Sequence, residues 1–300
     1  MNRYVAVVLL ILGSACSKPV PPGTAQASCG LPQADIGRFV SLPGGSFMKG
    51  DEPHYPEETP RLSLHVDAFS LQVHEVTNDQ FAAFVRETGY TTDAERSAAS
   101  GGTGAGSAVF DLPEAGTVKL DPWRLVPGAT WTAPTGPGSS IAGLGTHPVI
   151  HVSERDAAAY AAWAGGRLPT EVEWEYAATL GLADPDVSSS GAYDTEGAPV
   201  SNTWQGIFPV ANTMADGFEG AAPVGCFPAS RVGLYDMIGN VWEWTDTPYS
   251  PGTHTVKGGS YLCADNFCRR YRPAARQPQD SDFSSIHIGF RIAKDLPQAK

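Results

Sequence analysis

Leu62, Leu64 and Val66 alternate with Ser63, His65 and Asp67, a spacing of two that predicts a half-buried strand continuing to Phe69. Beyond it the spacing becomes helical. Thr77 with Gln80 forms a capping box, Phe81, Phe84 and Val85 make an apolar stripe, and Gly89 supplies a stop. Ser153 caps a second helix, in which Ala157, Tyr160, Ala161 and Ala164 share one face and Gly165 and Gly166 end the run. Thr170 with Glu173 starts a third helix carrying Trp174, Ala177 and Ala178. All of these elements are expected to be scaffolding. Ser97 to Ser107 and Pro134 to Gly145 are so rich in Gly, Ser and Ala that loops are expected there.

The N-terminal end adds an address. Arg3 precedes the apolar run Val5 to Leu12, and small residues lead to Cys16, so residues 1–16 read as an export signal of lipoprotein type. The run is shorter than the roughly twenty apolar residues needed to cross a bilayer. Lipid attachment at Cys16 is the expectation; ordinary cleavage of the signal is the alternative. Residues 17–37, with Pro19, Pro21 and Pro22, read as a flexible linker, and residues 38–295 as one domain. Thirty-three glycines and twenty-five prolines predict much turn and irregular structure. A net charge of −12 argues against nucleic acid and anionic membrane as partners, leaving the lipid on Cys16 as the expected membrane contact.

Five cysteines in an exported chain suggest disulfides. With Cys16 set aside, Cys29 and Cys226 can bridge or stay free. Cys263 and Cys268 bracket Ala264-Asp265-Asn266-Phe267, and the Asp-Asn turn can bring their sulfurs together. Two thiolates without histidine at ligand spacing form a soft, low-coordinate site that suits Cu(I), whereas structural zinc needs four ligands; from these residues alone a disulfide across the short loop is the stronger reading in an exported protein.

The chain resembles the formylglycine-generating enzymes of the sulfatase-modifying-factor superfamily. The residues that carry the likeness are PGGSF at 43–47, EVTN at 75–78, GRLPTE at 166–171, NTWQG at 202–206, GLYD at 233–236 and GNVWEW at 239–244. Most specific are GGSYLC at 258–263, Cys268 with RRYR at 269–272, AAR at 274–276 and GFR at 289–291. The likeness implies an α+β, C-type-lectin-like domain with little regular secondary structure.

It also implies chemistry. Cys263 and Cys268 would hold Cu(I), O2 would be the co-substrate, and a cysteine in a Cys-x-Pro-x-Arg segment of an unfolded sulfatase would be oxidised to Cα-formylglycine. Ser260, Trp242 and Arg276 match active-site positions. Asn202 and Asp216, with the carbonyls of Thr203 and Phe218, match one Ca2+ site; Asp236 and Glu243, with the carbonyls of Gly239 and Val241, match a second. Calcium favours such mixtures of carboxylate, amide and main-chain oxygen. Ala264, Phe267 and His287 depart from the family's usual histidine, tyrosine and asparagine, which bears on the polar contacts around oxygen and substrate. The alternative is a non-catalytic lipoprotein of the same fold, a binding or assembly factor, in which the cysteine pair is permanently oxidised. An iron-dependent sulfoxide synthase is disfavoured, because its histidine ligands come from a helical domain that this chain lacks.

Overall fold

The computed structural model describes residues 29–51, 53–100, 106–111, 121–182 and 191–297. The export signal, Cys16 and the linker as far as Ser28 lie outside the described residues. Four helices and thirteen short strands alternate with long turns among those residues: β1 (Phe39–Leu42), β2 (Gly45–Lys49), β3 (Leu62–Val66), β4 (Phe69–Gln72), α1 (Asn78–Thr88), α2 (Asp93–Ser100), β5 (Ser107–Phe110), β6 (Trp123–Val126), α3 (Glu154–Trp163), α4 (Glu171–Gly181), β7 (Gly206–Ile207), β8 (Ala211–Asn212), β9 (Trp242–Ser250), β10 (Thr253–Lys257), β11 (Gln277–Asp280), β12 (Ile288–Gly289) and β13 (Ala293–Asp295). This is the expected α+β domain, rich in loops.

The helix starts follow their capping residues. Thr77, Ser153 and Thr170 each accept from the third amide of the following helix, and Gln80, Asp156 and Glu173 reach back to close three capping boxes. Gly89 ends α1 in the left-handed conformation. A fourth start went unread in the sequence: Thr92 and Glu95 exchange the same reciprocal bonds and open α2. Ser97 to Ser100, expected as loop, is therefore the last turn of a helix, and Ser107 opens a buried strand. The local cap decides this against the low hydrophobicity of the stretch.

The strand expected from Leu62 to Phe69 divides. β3 stops at Val66 and pairs antiparallel with β2, while β4 begins at Phe69 and lies between β1 and β13. Only Val66 of the three alternating residues is buried, and Leu62 is exposed.

The central sheet runs β11-β10-β9-β12 and carries the site. One apolar core packs α1 and α3, through Phe81, Phe84, Ala157 and Tyr160, onto Trp242 and Trp244 of β9 and Ile288 of β12. A second sets Trp174 and Ala177 of α4 against Leu42, Phe69 and Leu71. A third, smaller one gathers Phe110, Trp204, Tyr261, Leu262 and Ala264 beneath the loop after β10. Cys29 and Cys226 form a disulfide, and the Leu31 amide donates to the Val224 carbonyl at 3.2 Å, so the described end of the expected linker is fastened to the domain.

Candidate active site: a pair of thiols on a glycine-hinged loop

Gly258 and Gly259 turn the chain out of β10, both with positive φ. A Cβ on Gly259 would lie 2.8 Å from the Tyr271 Cα, so only glycine lets the two limbs of the cysteine loop approach this closely. The Cys263 amide donates to the Ser260 carbonyl at 2.9 Å, and the Cys268 amide to the Ala264 carbonyl at 2.9 Å. Between them the Asp265-Asn266 turn reverses the chain, as expected. The result places the Cys263 and Cys268 sulfurs 3.2 Å apart and unbridged, the first buried and the second half-buried.

Electrostatics divide the pair. Burial, then the neighbouring Cys268 sulfur, pushes the Cys263 thiol well up, against hydrogen bonds from Ser260. The hydrogen bond from Cys263, with help from the Arg270 amide and guanidinium, brings the Cys268 thiol down to about 7 despite its burial. One thiol and one thiolate sharing a proton is the stable form. Near pH 7 about half of the pairs thus carry a single anion, on the more accessible sulfur.

A strap from the N-terminal half holds the outgoing limb. The Tyr55 hydroxyl accepts from the Arg269 amide at 3.0 Å, the Arg270 guanidinium stacks 4.1 Å from the Tyr55 ring and donates from Nε to Glu57 at 3.0 Å, and Arg272 pairs with buried Glu58. The sequence showed the RRYR run but not its partners, which lie more than two hundred residues away.

Of the other expected residues, Ser260 is fully buried behind Cys263, with its hydroxyl accepting from the Leu262 amide at 3.2 Å. Trp242 is buried in the same core as Cys263, its amide donating to the His287 carbonyl at 2.9 Å. Arg276 donates to Glu171 at 2.5 Å and to Thr255 at 3.3 Å and stacks over Tyr249, while its charge also reaches Glu57 of the strap. These contacts make it a structural fork. His287 packs at a tilt against Trp123, ring centroids 4.8 Å apart, and bonds through Nδ1 with the Ser285 hydroxyl at 2.7 Å; burial holds it neutral. Phe267 is exposed and stacks on Phe208 with ring centroids 4.6 Å apart.

The two expected calcium sets differ. In the first, Asp216 accepts from the Thr203 amide at 3.2 Å and the Phe218 amide at 3.0 Å, burial raises its pKa, and the buried Asn202 Oδ1 has no hydrogen-bond partner. Asp216 also accepts from the Gln205 side-chain amide at 2.9 Å, but its neighbours are all neutral donors, so with the orphaned Asn202 oxygen the set fits a hard cation. In the second, both Glu243 oxygens are committed, to Arg291 at 2.7 Å each and to the Trp174 indole at 2.7 Å. A fixed guanidinium already neutralises this carboxylate, and the Asp236 carboxylate accepts from the Gly225 amide at 2.7 Å. The second set does not fit calcium. No cluster of three or more His, Cys, Asp or Glu suited to a metal occurs among the described residues.

Fold and site together define a loop-rich α+β domain presenting two unbridged cysteines on one turn. A family model described as a sulfatase-modifying factor enzyme 1-like domain matches residues 25–296, and the chain belongs to that family. It is 46% identical to a formylglycine-generating enzyme of Mycobacterium tuberculosis, the match covering 86% of this chain and 97% of that protein. It is 42% identical to the Mus musculus protein of the same name, covering 87% of this chain and 76% of the other. It is also 39% identical to a Mus musculus protein named inactive C-alpha-formylglycine-generating enzyme 2, covering 87% of each. Among solved structures, PvdO from Pseudomonas aeruginosa shares the fold with a TM-score of 0.62 at 22% identity, covering 87% of this chain and 95% of that one.

Proposed function

We propose that this protein oxidises a cysteine of an unfolded sulfatase polypeptide, in a Cys-x-Pro-x-Arg segment, to Cα-formylglycine, with Cu(I) held by Cys263 and Cys268 and O2 as oxidant. Support comes above all from two unbridged sulfurs 3.2 Å apart on a loop fixed at both ends. Relatives at similar identity carry both active and inactive names, so the thiol pair carries the assignment rather than overall likeness.

Each residue has a task that follows from its surroundings. Cys263 is anchored, because its amide bonds to Ser260 and its carbonyl accepts from the Trp204 amide at 2.9 Å. Cys268 is half-buried and holds the anion, so an incoming thiol meets the reactive sulfur there. Arg270, held by Tyr55 and Glu57, keeps positive charge beside it. Trp242 and Ser260 close the inner side against water. Two soft sulfur donors suit Cu(I), and when bound it would supply the dioxygen chemistry that thiols alone lack. Asn202 and Asp216 would hold a structural Ca2+. Export and a lipid tether on Cys16 would put the enzyme where its clients arrive unfolded.

The test is incubation of reduced, copper-loaded protein with a Cys-x-Pro-x-Arg peptide in air, followed by mass spectrometry. Conversion of thiol to aldehyde, abolished by Cys263→Ser and by Cys268→Ser, is expected. A pair that stays oxidised in mild reductant and binds no Cu(I) would establish the non-catalytic alternative.

A further inference from the structure

Large apolar side chains exposed on the described surface are few, and they are not scattered. Of the six, Leu62, Leu125, Ile207, Val210, Met214 and Phe267, four belong to the β7–β8 hairpin with its following turn and to the cysteine loop. The two segments touch. Phe267 and Phe208 stack with centroids 4.6 Å apart, and the Phe208 amide donates to Asn266 Oδ1 at 3.3 Å. Phe208 in turn stacks on Phe110 at 5.5 Å.

An aromatic row thus leads from the residue beside Cys268 to Phe110, which lines a cleft of about 710 Å3 together with Tyr261, Ile286 and Ile141. In a single soluble domain, exposed apolar side chains gathered in one place mark an interaction surface. Phe267 is 65% exposed and Ile207 64%, although polar residues would serve a solvated turn equally well.

We propose that this row is a docking ledge for an apolar side chain of the extended client polypeptide, placed within about three residues of the cysteine that meets Cys268. The inference rests on the cysteine-modifying function proposed above and adds to it a determinant outside the thiols. Continuity decides the occupant. Phe267 is exposed and adjoins Cys268, so a chain whose thiol reaches Cys268 passes beside it, and at about 3.3 Å per extended residue its next few side chains reach Phe267 and half-buried Phe208, with buried Phe110 behind them. Folded proteins hide apolar side chains while extended ones display them, so such a ledge also favours unfolded clients over folded ones.

The experiment reads binding without chemistry. Two fluorescent thirteen-residue peptides carry Ser-x-Pro-x-Arg, with serine in place of the target cysteine; one has leucine at both x positions and at the two residues before the serine, the other has serine there. The protein should bind the leucine peptide about tenfold more tightly, a preference that one largely covered leucine provides. Phe267→Ser and Ile207→Asp, both at exposed positions, should reduce that preference to near unity while leaving the melting temperature unchanged. Equal binding of the two peptides by the unaltered protein overturns the proposal, and so does a preference that survives both substitutions. A concentration-dependent dimer abolished by Ile207→Asp, with peptide preference intact, would assign the ledge to a second copy of this chain and also overturn it. Aldehyde formation on the cysteine peptide is scored separately, so failure of the chemistry and failure of the ledge are told apart.

Discussion

Replacing Cys263 by alanine removes the hydrogen bond that, more than any other cause, brings the Cys268 thiol down to about 7. Without it, burial acts against the remaining help from Arg270, and the Cys268 pKa should climb to about 8.5 or above, the range of an ordinary thiol. At pH 7 the thiolate fraction then falls from about one half to about 3%, roughly sixteenfold. Reactivity changes less. A thiolate of lower pKa is a weaker nucleophile, with a Brønsted slope of about 0.45, which costs the unaltered protein about fivefold in intrinsic rate. Cys268 in the unaltered protein should therefore be alkylated about threefold faster than in Cys263→Ala at pH 7, and about fivefold more slowly near pH 10. The crossing of the two curves is the diagnostic. Iodoacetamide labelling of the metal-free, reduced proteins, followed at the Cys268 peptide by mass spectrometry from pH 5 to 10, measures it. Arg270→Gln should move the midpoint in the same direction by a smaller amount. An identical midpoint in Cys263→Ala would show that the sulfurs do not share a proton, and the division of the pair into thiol and thiolate would be wrong.

Three further outcomes are expected. Calcium at a hundredfold excess over its Kd should add about 2.7 kcal/mol of stability in denaturant melts; Asn202→Ala should abolish that gain and Asp236→Asn should not, since Asn202 Oδ1 has no hydrogen-bond partner whereas the carboxylate next to Asp236, Glu243, is already neutralised by Arg291. His74 is buried and neutral, accepting from the Gly37 amide at 2.8 Å, with burial holding its pKa down to about 4. The unfolded chain binds the proton first, so stability is lost as pH falls from about 6.5 to about 4, by roughly 3 kcal/mol for this residue; His74→Gln, which keeps an acceptor but cannot titrate, should flatten that slope in urea titrations. Cys29→Ser opens a covalent loop of 197 residues in sequence separation and should lower stability by about 2–5 kcal/mol in non-reducing urea melts, with secondary structure by circular dichroism retained.

Local chemistry was legible along the chain. The three capping boxes at Thr77, Ser153 and Thr170 form as read, because a cap needs only residues three apart. The Asp265-Asn266 turn also needed no distant partner, and the meeting of Cys263 with Cys268 followed from it. Composition was a poorer guide. Ser97 to Ser100 read as loop for want of apolar residues, yet Thr92 and Glu95 start a helix through it.

What only the tertiary structure decided is what each charged or amide group faces. Glu243 and Asn202 have equal claims on calcium from their positions in sequence, but Arg291 closes around the first and leaves the second with an unused oxygen. Arg270 and Arg276 lie six positions apart, and their partners separate them: Glu171 and Thr255 take hydrogen bonds from the second, while Tyr55 and Glu57 hold the first beside Cys268. The same applies to Cys29 and Cys226, whose pairing across 197 positions no spacing rule could give. A side chain's type fixes what it can donate or accept, whereas its pKa and its role depend on which groups folding brings near, from five residues away for Cys263 and Cys268 to more than two hundred for Arg270 and Glu57.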